Sequence, residues 1–188
     1  MAGSFEDCRR AVARGLALAS TSGIYLWDSY LLGHGAGGAL SEGDLTEARG
    51  FLNRMISSFP VMPNWGKEYY HVLEAWNFLI RGELAKALSH IELGLSFSEK
   101  TGMLLTVPFD RLGKALILIE LGRVEEARDQ IHHVHAILQS FKAPLVEFTC
   151  LLAQAQLAFH SDDQASGLES LKKALSLGKE QKYSNTFF

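Results

Sequence analysis

One short turn recurs along this chain at a nearly fixed interval, and that repetition limits the possible folds more than any local propensity does. It reads "EGDLTEA" at 42–48, "RGELAKA" at 81–87, "LGRVEEA" at 121–127 and, in a weaker copy, "SDDQASG" at 161–167. The last residues of these copies, Ala48, Ala87, Ala127 and Gly167, are 39, 40 and 40 residues apart. A second series of small residues, Ala36, Ala75, Ala115 and Ala155, keeps step 12 residues upstream of each. Leu52, Ile91, Ile131 and Leu171 follow four residues after the turn alanines, and Ile56, Leu95, His135 and Leu175 four residues later still. Spacings of i, i+4 and i+8 predict the apolar stripe of an amphipathic helix. A unit of this length cannot bury such a face alone, so copies must stack.

Each unit is then two helices joined by a tight glycine-containing turn, with the small residues marking close approach of two backbones. The expected class is all-α, an α/α superhelix of helical hairpins with about 40 residues per repeat. The hairpins are expected at 24–58, 66–100, 106–141 and 144–181, with internal helices at 24–42 and 45–58, 66–81 and 84–100, 106–121 and 124–141, and 144–160 and 164–181. A lone second helix at 5–20 precedes them, and a further helix is expected to begin within 183–188. "GLALASTSG" at 15–23 matches "GLSFSEKTG" at 94–102, which places the N-terminal segment in the same repeat and against a signal peptide. All four prolines fall between hairpins or at the start of a first helix, where a missing N–H does least harm. Residues 1–188 read as a single repeat domain, cut at both ends from a longer array.

The small residue of the first helix, the Gly-Asp/Glu-Leu turn seven residues on and the Ala at position twelve resemble the tetratricopeptide repeat. The unit here is longer than the usual one, and the early aromatic of the first helix is missing from most copies. The opening "ALASTSGIYLWDSYLLGHGAGGALSEGDLTEARGFLNRM", with its period, is similar to the superhelical region of MalT-like, LuxR-type ATP-binding transcriptional activators. That resemblance implies a non-catalytic regulatory region that receives a small-molecule inducer or a regulatory protein in a concave groove. The alternative is a stand-alone protein–protein interaction scaffold.

Charge and motif content exclude several other classes. Eighteen Lys and Arg against 21 Asp and Glu give a formal charge of −3, with no basic block to neutralise a row of phosphates. No contact with nucleic acid is expected. No stretch approaches the roughly 18 consecutive apolar residues of a membrane span, so no membrane association is expected either. Cys8 and Cys150 form no metal or disulfide pattern, which fits a reducing, cytoplasmic setting. "WGKEYY" contains Gly66-Lys67 but lacks the other residues of a phosphate-binding loop. With no G-x-S-x-G elbow, H-E-x-x-H helix or paired carboxylates beside a base, neither catalysis nor a cofactor is expected.

"LLGHGAGGAL" at 31–40 contains Gly33-x-Gly35-x-x-Gly38, a match to the dinucleotide-binding fingerprint. That fingerprint requires a strand before it and an acid about 20 residues after it. The run from Asn53 to Ser58 holds no acid, and Ala36 shares its register with Ala75, Ala115 and Ala155, so the stretch is the middle of a helix. Glycine in a helix interior costs about 1 kcal/mol against alanine, so four of them ask for a use of the space. By register Gly33 and Gly37 face the groove beside Val72 and Trp76, Leu112 and Leu116, and Leu152 and Gln156, and are expected to hollow a pocket next to Trp76. Tyr30, Tyr69 and Phe109 share a register near the groove entrance. The expected ligand-contacting set is Tyr30, Gly33, Gly37, Tyr69, Trp76, Phe109 and Gln156. "HHVH" at 132–135 does not have the spacing or the companions of a metal site, and His135 is expected to be a partly buried, hydrogen-bonded histidine. Apolar ends at Phe5, Phe187 and Phe188 would allow homo-oligomerisation.

Overall fold

The computed structural model describes residues 5–102 and 106–183. Its described residues form nine α-helices and one short 3₁₀ turn, with no strand. In chain order they are α1 (Phe5–Ser22), α2 (Asp28–Ser41), α3 (Leu45–Ser57), the 3₁₀ turn Phe59–Val61, α4 (Asn64–Ile80), α5 (Leu84–Thr101), α6 (Thr106–Glu120), α7 (Val124–Leu138), α8 (Pro144–His160) and α9 (Gln164–Gln181). The chain divides into two compact units, one of residues 2–101 and one of residues 102–187. In the first, α1 packs on α2, α2 pairs with α3, and α4 lies against both α2 and α3 while pairing with α5. In the second, α6 pairs with α7, and α8 lies against both while pairing with α9. Both units thus stack hairpins in the manner the period requires.

The recurring turn is one backbone device used four times. The amides of Asp44, Glu83, Arg123 and Asp163 each donate to the carbonyl five residues back, on Ala39, Phe78, Leu118 and Ala158, at 2.9 Å in every copy. The preceding residue takes a left-handed conformation: φ is +76° at Gly43, +71° at Gly82, +71° at Gly122 and +58° at Asp162. This is the bond pattern that satisfies the orphan carbonyls of a helix end, and it favours glycine at the left-handed residue because a Cβ there costs about 1–2 kcal/mol. The weak fourth copy uses an aspartate instead, a residue that tolerates the region through its short polar side chain. Asp44 and Asp163 then accept from the amides of Glu47 (2.9 Å) and Ser166 (3.1 Å), capping α3 and α9.

The small residues are seated alike. Ala36, Ala75, Ala115 and Ala155 are all buried at the middle of first helices, and Ala48, Ala87, Ala127 and Gly167 are buried in the first turn of second helices. The apolar stripe of the second helices differs from expectation. Ile56 and Leu175 are 43% and 49% exposed, whereas Met55, Gly94, Val134 and Ala174, one residue earlier, are buried. At about 100° per residue, seven steps return to within about 20° of the starting line and eight overshoot it by about 80°. The core therefore takes the seventh position in every copy, and the eighth lies at its border, buried at Leu95, half-buried at His135 and exposed at Ile56 and Leu175.

Helix α2 begins at Asp28, four residues after the expected start at 24. Gly23, at φ +71°, ends α1 with its amide on the Ala19 carbonyl at 2.9 Å, and the chain needs Ile24–Trp27 to reverse direction before Asp28 opens the next helix. Helix α7 ends at Leu138 rather than 141, and α4 starts at Asn64 rather than 66. Tyr183 lies beyond the end of α9, and the rest of the helix expected at 183–188 falls outside the described residues, as do Phe187 and Phe188.

Candidate functional site

The most prominent surface feature belongs to the first unit and follows from that reversal. Ile24, Tyr25, Leu26 and Trp27 are 65%, 59%, 70% and 60% exposed, and Tyr30, one turn into α2, is 46% exposed. Contiguous exposure of so many large apolar side chains is uncommon on a surface without a partner. Tyr30 is the hub. Its ring centre lies 6.2 Å from Trp27, 6.2 Å from Trp65, 6.1 Å from Tyr69 and 4.4 Å from His34, and it stands nearly perpendicular to both indoles and to the imidazole. Helical spacing assembles the cluster: Tyr30 and His34 follow i, i+4 on α2, with Trp27 immediately before that helix, and Trp65 and Tyr69 follow i, i+4 on α4. Partial desolvation holds His34 below its ordinary pKa, and burial pushes the Tyr69 phenol well above its own.

The glycines of α2 explain how α3 and α4 come so close. A Cβ on Gly33 would stand 2.2 Å from Cε1 of Tyr69, and one on Gly35 would stand 2.7 Å from the ring of Phe51. The space opened at Gly33 is therefore the seat of the chain's own Tyr69, and the pocket expected there is filled. Gly37 is different: a Cβ there meets only Leu73 Cδ2 at 3.6 Å and Tyr69 Oη at 3.9 Å. The structure thus brings Tyr30, Gly33 and Tyr69 together, with Gly37 at the edge of the Tyr69 ring. Trp76, two turns further along α4, is half-buried and packs on the core of the same unit, not in the ring cluster. Phe109 and Gln156 belong to the second unit, where Phe109 is half-buried and Gln156 donates to Glu120 at 3.0 Å. Sequence reasoning did not select Trp27, His34 and Trp65, although their i, i+3/i+4 spacing from Tyr30 and Tyr69 was the signal.

Behind the cluster, the core of the first unit is tied by ionic hydrogen bonds. Glu74, 2% exposed, receives a forked pair from Arg49 at 2.6 and 3.0 Å, the Tyr70 hydroxyl at 3.0 Å and the Asn77 amide at 3.3 Å. These partners saturate the carboxylate, so it has no capacity left for general-base work. Nearby, Nδ1 of His71 on α4 and Nδ1 of His90 on α5 are 3.1 Å apart, with His71 stacked on Phe97. Burial, then the second imidazole, lowers the His71 pKa to about 4, and burial also lowers that of His90.

In the second unit His135 is half-buried, as expected, and accepts from Gln154 at 2.5 Å with Cys150 Sγ 3.7 Å away. The pairing of Cys and His does not make a nucleophile. Cys150 is fully buried, and burial first, then Glu147, pushes its thiol up to about 12, so the thiolate is absent at neutral pH. His132 and His133 point to solvent, the latter donating to the Asp129 carbonyl at 2.7 Å. Among the described residues no three metal-binding side chains converge.

The stacked hairpins, the four identical turns and the aligned small residues decide the architecture. The fold is the tetratricopeptide-like helical repeat. Solved structures with this TPR-like fold superimpose along the chain: two structures of a kinesin light chain from Podosopora anserina with nearly identical TPR-like repeats each match at 14% identity over 96% of this chain and 95% of that one, with TM-scores of 0.65 and 0.62. BtubC (BKLC) from P. vanneervenii matches at 14% identity over 98% and 92%, TM-score 0.60. No protein-family model matches the chain, and no curated protein matches it. No helix among the described residues of this TPR-like chain is long and apolar enough to cross a membrane.

Proposed function

We propose that this chain is a non-catalytic binding module and that the aromatic surface formed by Ile24–Trp27, Tyr30, Trp65 and Tyr69 holds a protein partner. The observation that carries the reading is the exposure of five consecutive or near-consecutive large side chains around Tyr30. Tyrosine and tryptophan give large contact area at little rotamer cost, and each carries a polar tip. The likeness to kinesin light chain repeats supports a protein partner rather than a substrate. Selection of random displayed peptides on the wild-type chain and on Tyr30→Ala tests it. Peptides enriched on the wild type and lost on the variant support the site, and equal enrichment on both refutes it.

A second reading keeps the regulatory region of a MalT-like, LuxR-type activator in the cytoplasm, with a small-molecule inducer near Gly37 and Trp76. It is favoured by the opening 39-residue stretch and by the period. A thermal-shift screen of sugars, nucleotides and metabolites tests that reading, because any ligand of the native state raises its midpoint. Shifts that vanish in Gly37→Leu support it, and no shift with any compound refutes it.

A further inference from the structure

The second unit carries a surface of a different kind, along α9. In each unit a second helix holds the first helix of the hairpin that follows it. Arg49 on α3 makes its forked pair with Glu74 on α4, and His135 on α7 pairs with Gln154 on α8. Arg49 follows the turn residue Ala48 by one, and His135 follows Ala127 by eight; counted from Gly167, the same places on α9 hold Leu168 and Leu175. Both leucines are 49% exposed. Helices α3 and α7 are each packed between two others, α2 and α4 or α6 and α8, whereas the one helix that α9 packs along, among those described, is α8. A helix that faces solvent in a stacked array normally shows it polar side chains. On α9 the positions that hold a following helix are aliphatic instead.

Lysines complete the stripe. Lys172 lies between the two leucines and Lys179 one turn beyond them, and at about 100° per residue all four project within about 60° of arc. Both lysines are exposed, and no ion pair among the described residues takes either, whereas Lys173 on the adjoining line is held by Glu169 at 2.6 Å. We propose that this stripe binds an amphipathic α-helix of another protein, laid along α9 as α4 lies along α3 and α8 along α7. That helix carries aliphatic residues seven apart for the leucines and Asp or Glu one turn from each for the lysines. Burial of the leucines and of the lysine stems supplies the affinity, and the ammonium groups select an acidic flank. An extended peptide finds no strand edge to pair with here, since the described residues contain no strand. A symmetric pairing of α9 with α9 of a second copy sets lysine against lysine, and like charges facing each other are costly.

The test uses the full chain and a displayed library of α-helical peptides varied along one face. It is selected on the wild type and then on a variant carrying both Leu168→Ser and Leu175→Ser. Helices with aliphatic residues seven apart and acidic residues one turn away should be enriched on the wild type and lost on the variant. A synthetic copy of an enriched helix, titrated by fluorescence anisotropy, should bind the double variant about tenfold or more weakly. Lys172→Glu should weaken it about threefold or more, and added salt should weaken it as well. All three substitutions lie on the surface, and circular dichroism checks that helix content is unchanged. Enrichment indifferent to the leucines, enrichment of basic or uncharged helices, or no enriched helix overturns the proposal. So does sedimentation showing a wild-type dimer that the double variant abolishes, because a second copy would then be the occupant.

Discussion

Two glycines one turn apart on α2 should respond to the same substitution with opposite signs. At Gly37 an alanine Cβ makes only ordinary contacts, the nearest at 3.6 Å. Gly37→Ala therefore gains the helix-propensity difference of about 0.5–1 kcal/mol with no steric loss. At Gly33 the same Cβ would sit 2.2 Å from Cε1 and 2.6 Å from Cδ1 of Tyr69. The obstructing atoms belong to the body of a ring that also packs against Tyr30 and His34, so the ring cannot swing away without dismantling the cluster. Overpacking of this kind costs about 1–3 kcal/mol and outweighs the propensity gain, leaving Gly33→Ala less stable by roughly 1–2 kcal/mol. Urea unfolding of both variants measures the pair directly. The double change Gly33→Ala with Tyr69→Leu should recover part of the loss, since the clashing ring is gone. If Gly33→Ala matches or exceeds the wild type in midpoint at unchanged slope, the seating of Tyr69 on Gly33 is refuted.

Three further outcomes follow from particular contacts. At Asp162 the left-handed backbone penalises a Cβ, so Asp162→Gly should stabilise by about 0.5–1 kcal/mol, while Gly122→Ala should cost about 1 kcal/mol or more; thermal melts of the two check the shared turn geometry. Glu74→Ala strands the half-buried Arg49 guanidinium and two further donors, and a loss of about 3 kcal/mol in urea is expected, well above that of an exposed pair such as Lys173–Glu169. The His71 pKa falls from 6.5 in the unfolded chain to about 4 in the folded one. The unfolded state then binds the proton first, and stability present above pH 6.5 is lost as pH falls towards 4. By pH 5 the loss is about 2 kcal/mol, and His71→Gln should flatten that part of the stability-versus-pH profile. An unchanged profile in the variant would remove the His71–His90 pair as its cause.

The order of helices, the hairpin turns and the small residues at their crossings were legible from sequence because they repeat. A backbone device used four times leaves the same residues at the same interval, and the period averages out local ambiguity. The fourth turn was legible despite Asp162 in place of glycine, since its neighbours kept register. The eighth stripe position was misjudged at Ile56 and Leu175 because a period of 3.6 residues and a spacing of four drift apart after two turns. The aromatic cluster was half visible: Tyr30 and Tyr69 share a register, but nothing in the pattern says that α2 and α4 meet at Gly33. Ile24–Trp27 looked like helix because an apolar run cannot reveal that it lies on an outside bend.

Sequence alone determined that this chain is an array of helical hairpins, since turn chemistry and small-residue spacing are local and periodic. Only the tertiary structure decided which rings fill the glycine notches, which carboxylate is buried among its donors and which aromatics stay in solvent. Those outcomes depend on how closely helices from different parts of the chain approach one another, and that distance is set by packing rather than by any property of either segment on its own.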